Sequence, residues 1–282
     1  MTDYNINPFG QSAVMPAGYP IANDLDTNRA DKALSAAMGY KLARSSGGSQ
    51  WKGKKWYAYG TSLTDSVNYP SEPYGWYAKK LRDMSGMVMY NMGISGGGLM
   101  NSNQNILAAI RNTTDGKTEA DLITLECMIN DQYFTFGNVD DIGTDSFLGC
   151  LANCIKYLQQ NTTAQIVIIA SPQNSRDSAS NMHGTAPAGE TTVQMIPTYR
   201  FVSDNRTWAE RADLVQLLCE MYGVYFINPV HALGYYRKPT DNVTHPYYAD
   251  VYHHTELGGY VFASYIWSKL KDIPLFYTQI PT

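Results

Sequence analysis

From about residue 54 onward, short apolar runs alternate with segments whose apolar residues recur at helical spacing. Gln165–Ala170 reads Gln-Ile-Val-Ile-Ile-Ala, a continuous run of the kind that fills a strand covered on both faces. Comparable runs predict strands over 54–59, 87–92, 121–127 and 224–227. Between them, apolar residues three and four apart predict helices near 75–83, 103–112, 144–160, 199–222 and 256–270. The third of these places Phe147, Leu151, Cys154, Ile155 and Leu158 on one face. Strands separated by helices pair in parallel, which predicts an α/β fold: a doubly wound three-layer α/β/α sandwich around a five-stranded parallel sheet. In such folds ligands bind outside the carboxyl ends of the strands. Two long segments without periodicity, 171–198 and 229–252, follow strands and are expected to overhang that end. The second carries Tyr235, Tyr236, Tyr247, Tyr248 and Tyr252.

The first fifty residues have a different pattern. Pro8, Pro16, Gly18 and Pro20 punctuate a polar stretch that reads as an extended arm. Asn28 can cap a helix over 29–42, with Ala30, Ala33, Leu34, Ala37, Met38 and Leu42 at helical spacing. Ser45-Ser46-Gly47-Gly48-Ser49 has linker composition. The expected division is an N-terminal arm, amphipathic helix and linker over 1–50, followed by one domain over 51–282. A single amphipathic helix must bury its stripe, either against the domain or against copies of itself in an oligomer.

Composition narrows the function. A net charge of −4 over 282 residues lacks the basic character of a nucleic-acid binder. No apolar run approaches the ~20 residues of a membrane helix, and the N-terminus lacks the basic and apolar regions of a signal peptide. The four cysteines include no CxxC pair, and there is no HExxH, Walker A or dinucleotide fingerprint, so neither a metal nor an organic cofactor is expected. Tyrosine is over-used, with 22 Tyr against 8 Phe; its apolar ring and polar tip suit wet, aromatic-lined surfaces such as carbohydrate sites.

Nucleophilic catalysis is the chemistry the remaining residues favour. It needs a hydroxyl, a histidine to take its proton, a carboxylate to orient the histidine, and donors for the oxyanion. Ser62, in Gly60-Thr61-Ser62-Leu63, and Ser95, in Gly93-Ile94-Ser95-Gly96-Gly97, both follow predicted strands. The second formally matches the GxSxG elbow, but that motif belongs after a central strand preceded by several others, and here one strand precedes it. Asp250-Val251-Tyr252-His253 sets a carboxylate three residues before an imidazole, close enough to fix its tautomer and free Nε2 as a base.

Four blocks together resemble the SGNH (GDSL-type) hydrolases over about residues 54–270. Gly60-Thr61-Ser62-Leu63 resembles the GDSL nucleophile block, with Thr61 in place of Asp. Asn91-Met92-Gly93-Ile94-Ser95-Gly96 resembles the block whose glycine lends an N–H to the oxyanion hole. Met128-Ile129-Asn130-Asp131 resembles GxND, with Met128 in place of Gly. Asp250-Val251-Tyr252-His253, followed by Thr255 and Gly258, resembles the DxxH block. The resemblance implies a flavodoxin-like fold and cofactor-free acyl transfer. Ser62, His253 and Asp250 would form the triad, and the Ser62 N–H, Gly96 N–H and Asn130 amide the oxyanion hole. His254 is the alternative base, less well spaced from Asp250 and Gly258. Asp131 is expected to brace its own loop, and Met128 to narrow the acyl pocket.

The family includes lipases, thioesterases and carbohydrate esterases. The chain shows no long apolar lid, and the Tyr-rich second loop suits an acylated sugar, so a carbohydrate O-deacetylase is expected, with Tyr247, Tyr248 and Tyr252 contacting substrate. Residues 24–42 resemble short linker helices of phage tail and receptor-binding proteins. That likeness implies an esterase mounted on a virion or larger assembly, as a trimer through the N-terminal helix; a cytoplasmic enzyme is the alternative setting. The alternative function is a glycan-binding or structural tail module that keeps the fold with weakened catalysis.

Overall fold

Three strands with buried residues throughout nearly their whole length form the centre of a five-stranded sheet. They are β1 (Lys55–Gly60), β3 (Leu122–Cys127) and β4 (Gln165–Ala170). Apolar runs without alternation require cover on both faces, and the sheet supplies it by being parallel throughout. The outer strands, β2 (Val88–Gly93) and β5 (Tyr225–Ile227), are partly exposed. The order across the sheet is β2-β1-β3-β4-β5. The chain moves outward from β1 to β2, then returns past β1 to β3, which places the topological switch point between β1 and β3.

The computed structural model describes residues 49–65, 76–113, 119–172, 200–233, 247–250 and 252–273. It also describes the short strands Ile21–Ala22, Ala33–Leu34, Arg176–Ser178 and Thr192–Gln194. Five helices accompany the sheet among these residues: α1 (Tyr77–Ser85), α2 (Ile106–Asn112), α3 (Phe147–Asn161), α4 (Trp208–Met221) and α5 (Glu256–Leu270). Their boundaries follow from local chemistry. Ser146 and Thr255 each accept a backbone N–H three residues ahead as N-caps of α3 and α5. At α4, Thr207 and Glu210 form a reciprocal capping box, and the chain before it, expected to be helical from 199, is a turn closed by an Arg200–Thr207 bridge. The helix starts at its cap rather than where the periodicity first fits.

Two compact units divide the chain, Met1–Gly48 and Ser49–Thr282. In the first, Ile21–Ala22 pairs in parallel with Ala33–Leu34. That pairing holds Ala33 and Leu34 extended, so the helix expected over 29–42 does not run through them; helical spacing of small apolar residues does not by itself exclude a ladder. The rest of that segment, and the oligomer expected from it, lie outside the described residues. Segment 171–198, expected to lack regular structure, contains the antiparallel pair Arg176–Ser178 and Thr192–Gln194.

Register brings the site together. Gly60 lies opposite Gly93, and Cys127 opposite Ala170, so the strands end at nearly one level and their outgoing turns converge. The core packs Trp51, Trp56, Tyr59, Tyr77, Phe147, Phe262 and the aliphatic side chains of β3 and β4, all buried.

Candidate active site

The turn after β1 is tight. The backbone N–H groups of Thr64 and Asp65 both donate to the Thr61 carbonyl at 3.0 Å, and the turn leaves the Ser62 side chain at its apex, 8% exposed. Beneath it lies Glu126, a fully buried carboxyl on β3. Its Oε2 accepts the Thr61 N–H at 2.9 Å, the Thr61 hydroxyl at 2.7 Å and the Thr64 hydroxyl at 3.2 Å, while Oε1 accepts from the Ser171 hydroxyl. Burial raises the Glu126 pKa, and these hydrogen bonds oppose the rise. Thr61 thus contributes a hydroxyl to a hub that seats the turn on the sheet.

The second half of the site comes from residues 247–255. Ala249 N–H donates to the His253 carbonyl at 2.8 Å and Thr255 N–H to the Tyr247 carbonyl at 3.0 Å, folding the segment back on itself. Gly258, in the first turn of α5, is what allows this. A Cβ there would stand 2.0 Å from the Tyr247 carbonyl oxygen, so any larger residue would push the segment away. The fold-back presents Asp250 and His253 together. His253 Nε2 lies 3.0 Å from Ser62 Oγ, and Nδ1 lies 2.7 Å from Asp250 Oδ2. Asp250 Oδ1 also accepts the N–H groups of Tyr252 and His253, each at 2.7 Å. Partial burial works to raise the Asp250 carboxyl, but the His253 ring and the two backbone donors outweigh it and hold the pKa down to about 2. The carboxylate therefore stays ionised and anchors the Nδ1 proton. Trp76 stands edge-on to His253, ring centroids 6.4 Å apart.

The glycine-rich turn after β2 faces the same place. Gly97 N–H donates to Ile94 and Gly98 N–H to Gln104, whereas Gly96 N–H has no acceptor among the described residues. Ser62 N–H is in the same position, although Thr61 and Leu63 on either side are both engaged. Gly96 sits at φ 71°, the left-handed region, with Gln104 Oε1 2.5 Å from where a Cβ would be. The loop is gripped from the turn after β3: Asn130 Nδ2 donates to the Gly97 carbonyl at 2.8 Å, and Asp131 accepts Leu99 N–H at 3.1 Å and Met100 N–H at 2.9 Å. The second hydrogen of the Asn130 amide remains for another acceptor. Burial pushes the Asp131 carboxyl up to about 6 against the pull of those two donors.

The structure thus brings Ser62, Gly96, Asn130, Asp250 and His253 to one end of the sheet. Two expectations need correction. Met128 is fully buried in the core and has no surface to offer an acyl group; what distinguishes it is a φ of 105°, rare for a residue with a Cβ. Tyr248 is 3% exposed and pairs with His254, so it packs inward rather than toward substrate. His254, the alternative base, lies between Tyr248 and Phe262 in the core, 3% exposed. Tyr247 is half-buried against the core, and Tyr252 is exposed. His231 bonds Asp213 on the surface at 2.9 Å, and His183, His245, Tyr235 and Tyr236 lie outside the described residues.

Four contributors carried no role in the sequence reading: Glu126, Ser171, Tyr133 and Arg211. The Arg211 guanidinium is fully buried, 3.7 Å from the Phe201 ring centroid and 4.9 Å from that of Phe136. It donates to the Gln132 carbonyl at 2.9 Å, fixing the chain that runs on from Asn130. Tyr133 follows at once, and its hydroxyl lies 3.2 Å from that of Tyr252. Among the described residues, no group of three or more His, Cys, Asp or Glu gathers as metal ligands would.

Comparison with solved structures places this architecture. A protein from Lactobacillus plantarum superposes with a TM-score of 0.59 at 18% identity, covering 78% of this chain and 97% of its own. A possible lipase from Chitinophaga pinensis gives 0.55 at 16%, covering 77% and 98%. A member of the lipolytic G-D-S-L family from Veillonella parvula gives 0.51 at 15%, covering 78% and 99%. The chain has the SGNH hydrolase fold. A variant of Axe2, an acetyl-xylooligosaccharide esterase from Geobacillus, shares this SGNH fold with a TM-score of 0.51 at 14% identity, covering 82% of this chain and all of its own. No family model matches the sequence, and no curated protein does. The five-stranded parallel sheet expected from the sequence is the one observed.

Proposed function

We propose that the protein is a serine esterase that removes short acyl groups, above all acetyl, from a carbohydrate. The observation that carries this reading is the continuous hydrogen-bonded chain from Ser62 Oγ through His253 to Asp250, beside two backbone N–H groups with no other acceptor among the described residues. Ser62 Oγ attacks the ester carbonyl while His253 Nε2 takes its proton. The imidazolium is steadied by Asp250, whose charge persists down to about pH 2. The N–H groups of Ser62 and Gly96 and the second amide hydrogen of Asn130 receive the oxyanion. His253 returns the proton to the departing alcohol, and water, activated by the same imidazole, releases the acid from Ser62.

The acetyl-sugar substrate rests on the exposed tyrosines at the mouth and on the acetyl-xylooligosaccharide esterase among the structures that share the fold. A virion-mounted setting belongs to the same proposal and draws on the N-terminal sequence alone. The test is acetate release from acetylated xylo-oligosaccharides by wild type, Ser62→Ala and Ser95→Ala. Wild type and Ser95→Ala turn over, and Ser62→Ala falls by about a thousandfold or more. Equal rates for Ser62→Ala and wild type overturn the proposal.

A further inference from the structure

We infer that Tyr133 and Tyr252 form a subsite for the alcohol half of the ester, an aromatic pair that binds the sugar ring rather than the acyl group. The inference rests on the sugar-ester reading above and adds where that sugar sits and which residues select it. Tyr252 precedes His253, and the imidazole must deliver its proton to the leaving oxygen, so the alcohol half lies on the His253 side of the carbonyl. Tyr133 comes from a different segment, three residues beyond Asn130, one of the oxyanion donors. The 3.2 Å contact between their hydroxyls therefore links the segment that carries Asn130 to the segment that carries His253.

Both tyrosines are held through the backbone beside them while the residues stay open to solvent. Tyr252 N–H is bound by the Asp250 carboxylate at 2.7 Å. Tyr133 follows Gln132, whose carbonyl is held by the buried Arg211, and Phe134 N–H donates back to Asp131 at 3.1 Å. Yet Tyr133 is 46% exposed and Tyr252 36% exposed. A hydroxyl pair open to solvent adds little to stability, because water competes for both partners. Two pinned, solvent-facing rings with polar tips suit a pyranose: the rings meet its C–H face and the phenols exchange hydrogen bonds with its hydroxyls. A flexible alkyl alcohol would use neither property.

The experiment compares kcat/KM for acetylated xylo-oligosaccharide with that for ethyl acetate, followed by acid release, in wild type, Tyr133→Ala, Tyr133→Phe and Tyr225→Ala. Tyr225 is an exposed aromatic on β5, remote in the chain from every residue of the site. The expected result is a three- to tenfold fall in the sugar-to-ethyl selectivity of Tyr133→Ala, roughly the worth of one aromatic contact, expressed mainly in KM for the sugar ester. Tyr133→Phe shows a smaller fall, and Tyr225→Ala keeps the wild-type ratio. A wild type that cleaves both esters, with the ratio unmoved in Tyr133→Ala, overturns this inference alone. A wild type that cleaves ethyl acetate but frees no acetate from the oligosaccharide overturns the sugar-ester reading and this inference with it.

Discussion

Met128 stands at φ 105° with its side chain fully buried, and the two facts pull its replacements in opposite directions. Met128→Ala deletes a buried thioether chain at a cost of about 2–5 kcal/mol and keeps a Cβ in the unfavourable backbone region. Met128→Gly loses one further buried carbon, about 0.8 kcal/mol, and about 0.5–1 kcal/mol more in chain entropy. Against that, glycine relieves the strain. Because 105° lies well beyond the left-handed well near 50–70°, the upper part of the ~1–3 kcal/mol range for such strain applies. Glycine should therefore come out ahead of alanine by about 1 kcal/mol, with both below wild type. In a domain of this size that separates the two melting temperatures by about 2–4 °C. Thermal melts of the three proteins, each in the same buffer and checked for reversibility, read this directly. An alanine variant that melts at or above the glycine variant refutes the strain at Met128.

Gly258→Ala places a methyl against the Tyr247 carbonyl, and its effect should reach His253; esterase activity falls at least tenfold while the circular dichroism of the fold persists, and unchanged activity would show that the segment absorbs the methyl. Asp250 titrates in the folded state near 2, below the ~3.9 of an unfolded chain, so its stabilisation is complete above about pH 4 and is lost as pH falls toward 2. Urea melts at pH 5, 3 and 2 should show that loss in wild type and a smaller one in Asp250→Asn. Asp131, pushed up to about 6, works in the opposite sense: its contribution is complete below about pH 4 and declines as pH rises through 6. Asp131→Asn should flatten that part of the stability profile, and an unchanged slope between pH 4 and 6 would contradict the assignment. Glu126→Leu removes the acceptor for the Thr61 N–H and three hydroxyls and should destabilise by about 2–4 kcal/mol, whereas Glu126→Gln, which keeps an acceptor oxygen, should cost less in denaturant melts.

The parts of the site that could be read from sequence are those written in short local patterns at strand ends. Ser62, Gly96, Asn130 and the Asp250–His253 pair each sit within a few residues of a predicted element boundary, and a parallel sheet obliges such turns to meet. Contributors that depend on direction or on distant packing escaped. Tyr248 and Tyr252 belong to one Tyr-rich segment, but the fold-back at residues 247–255 turns the first inward and the second outward, which composition does not encode. Arg211 is enclosed by Phe136 and Phe201, and no local pattern around it announces a buried cation. Two signals were present and went unused. A lone carboxylate, Glu126, interrupts the otherwise uncharged Leu122–Cys127 run, and Thr207-Trp208-Ala209-Glu210 spells a capping box that would have moved the start of α4 to its observed place.

The proposed chemistry makes Ser62 the nucleophile, activated by His253. It is tested most directly by treating the protein with a small fluorophosphonate and locating the adduct by peptide mass spectrometry, in wild type and in His253→Ala. The expected result is one adduct, on the peptide carrying Ser62, with labelling slowed by orders of magnitude in His253→Ala. An adduct on Ser95 instead, or Ser62 labelled equally fast without His253, would contradict it.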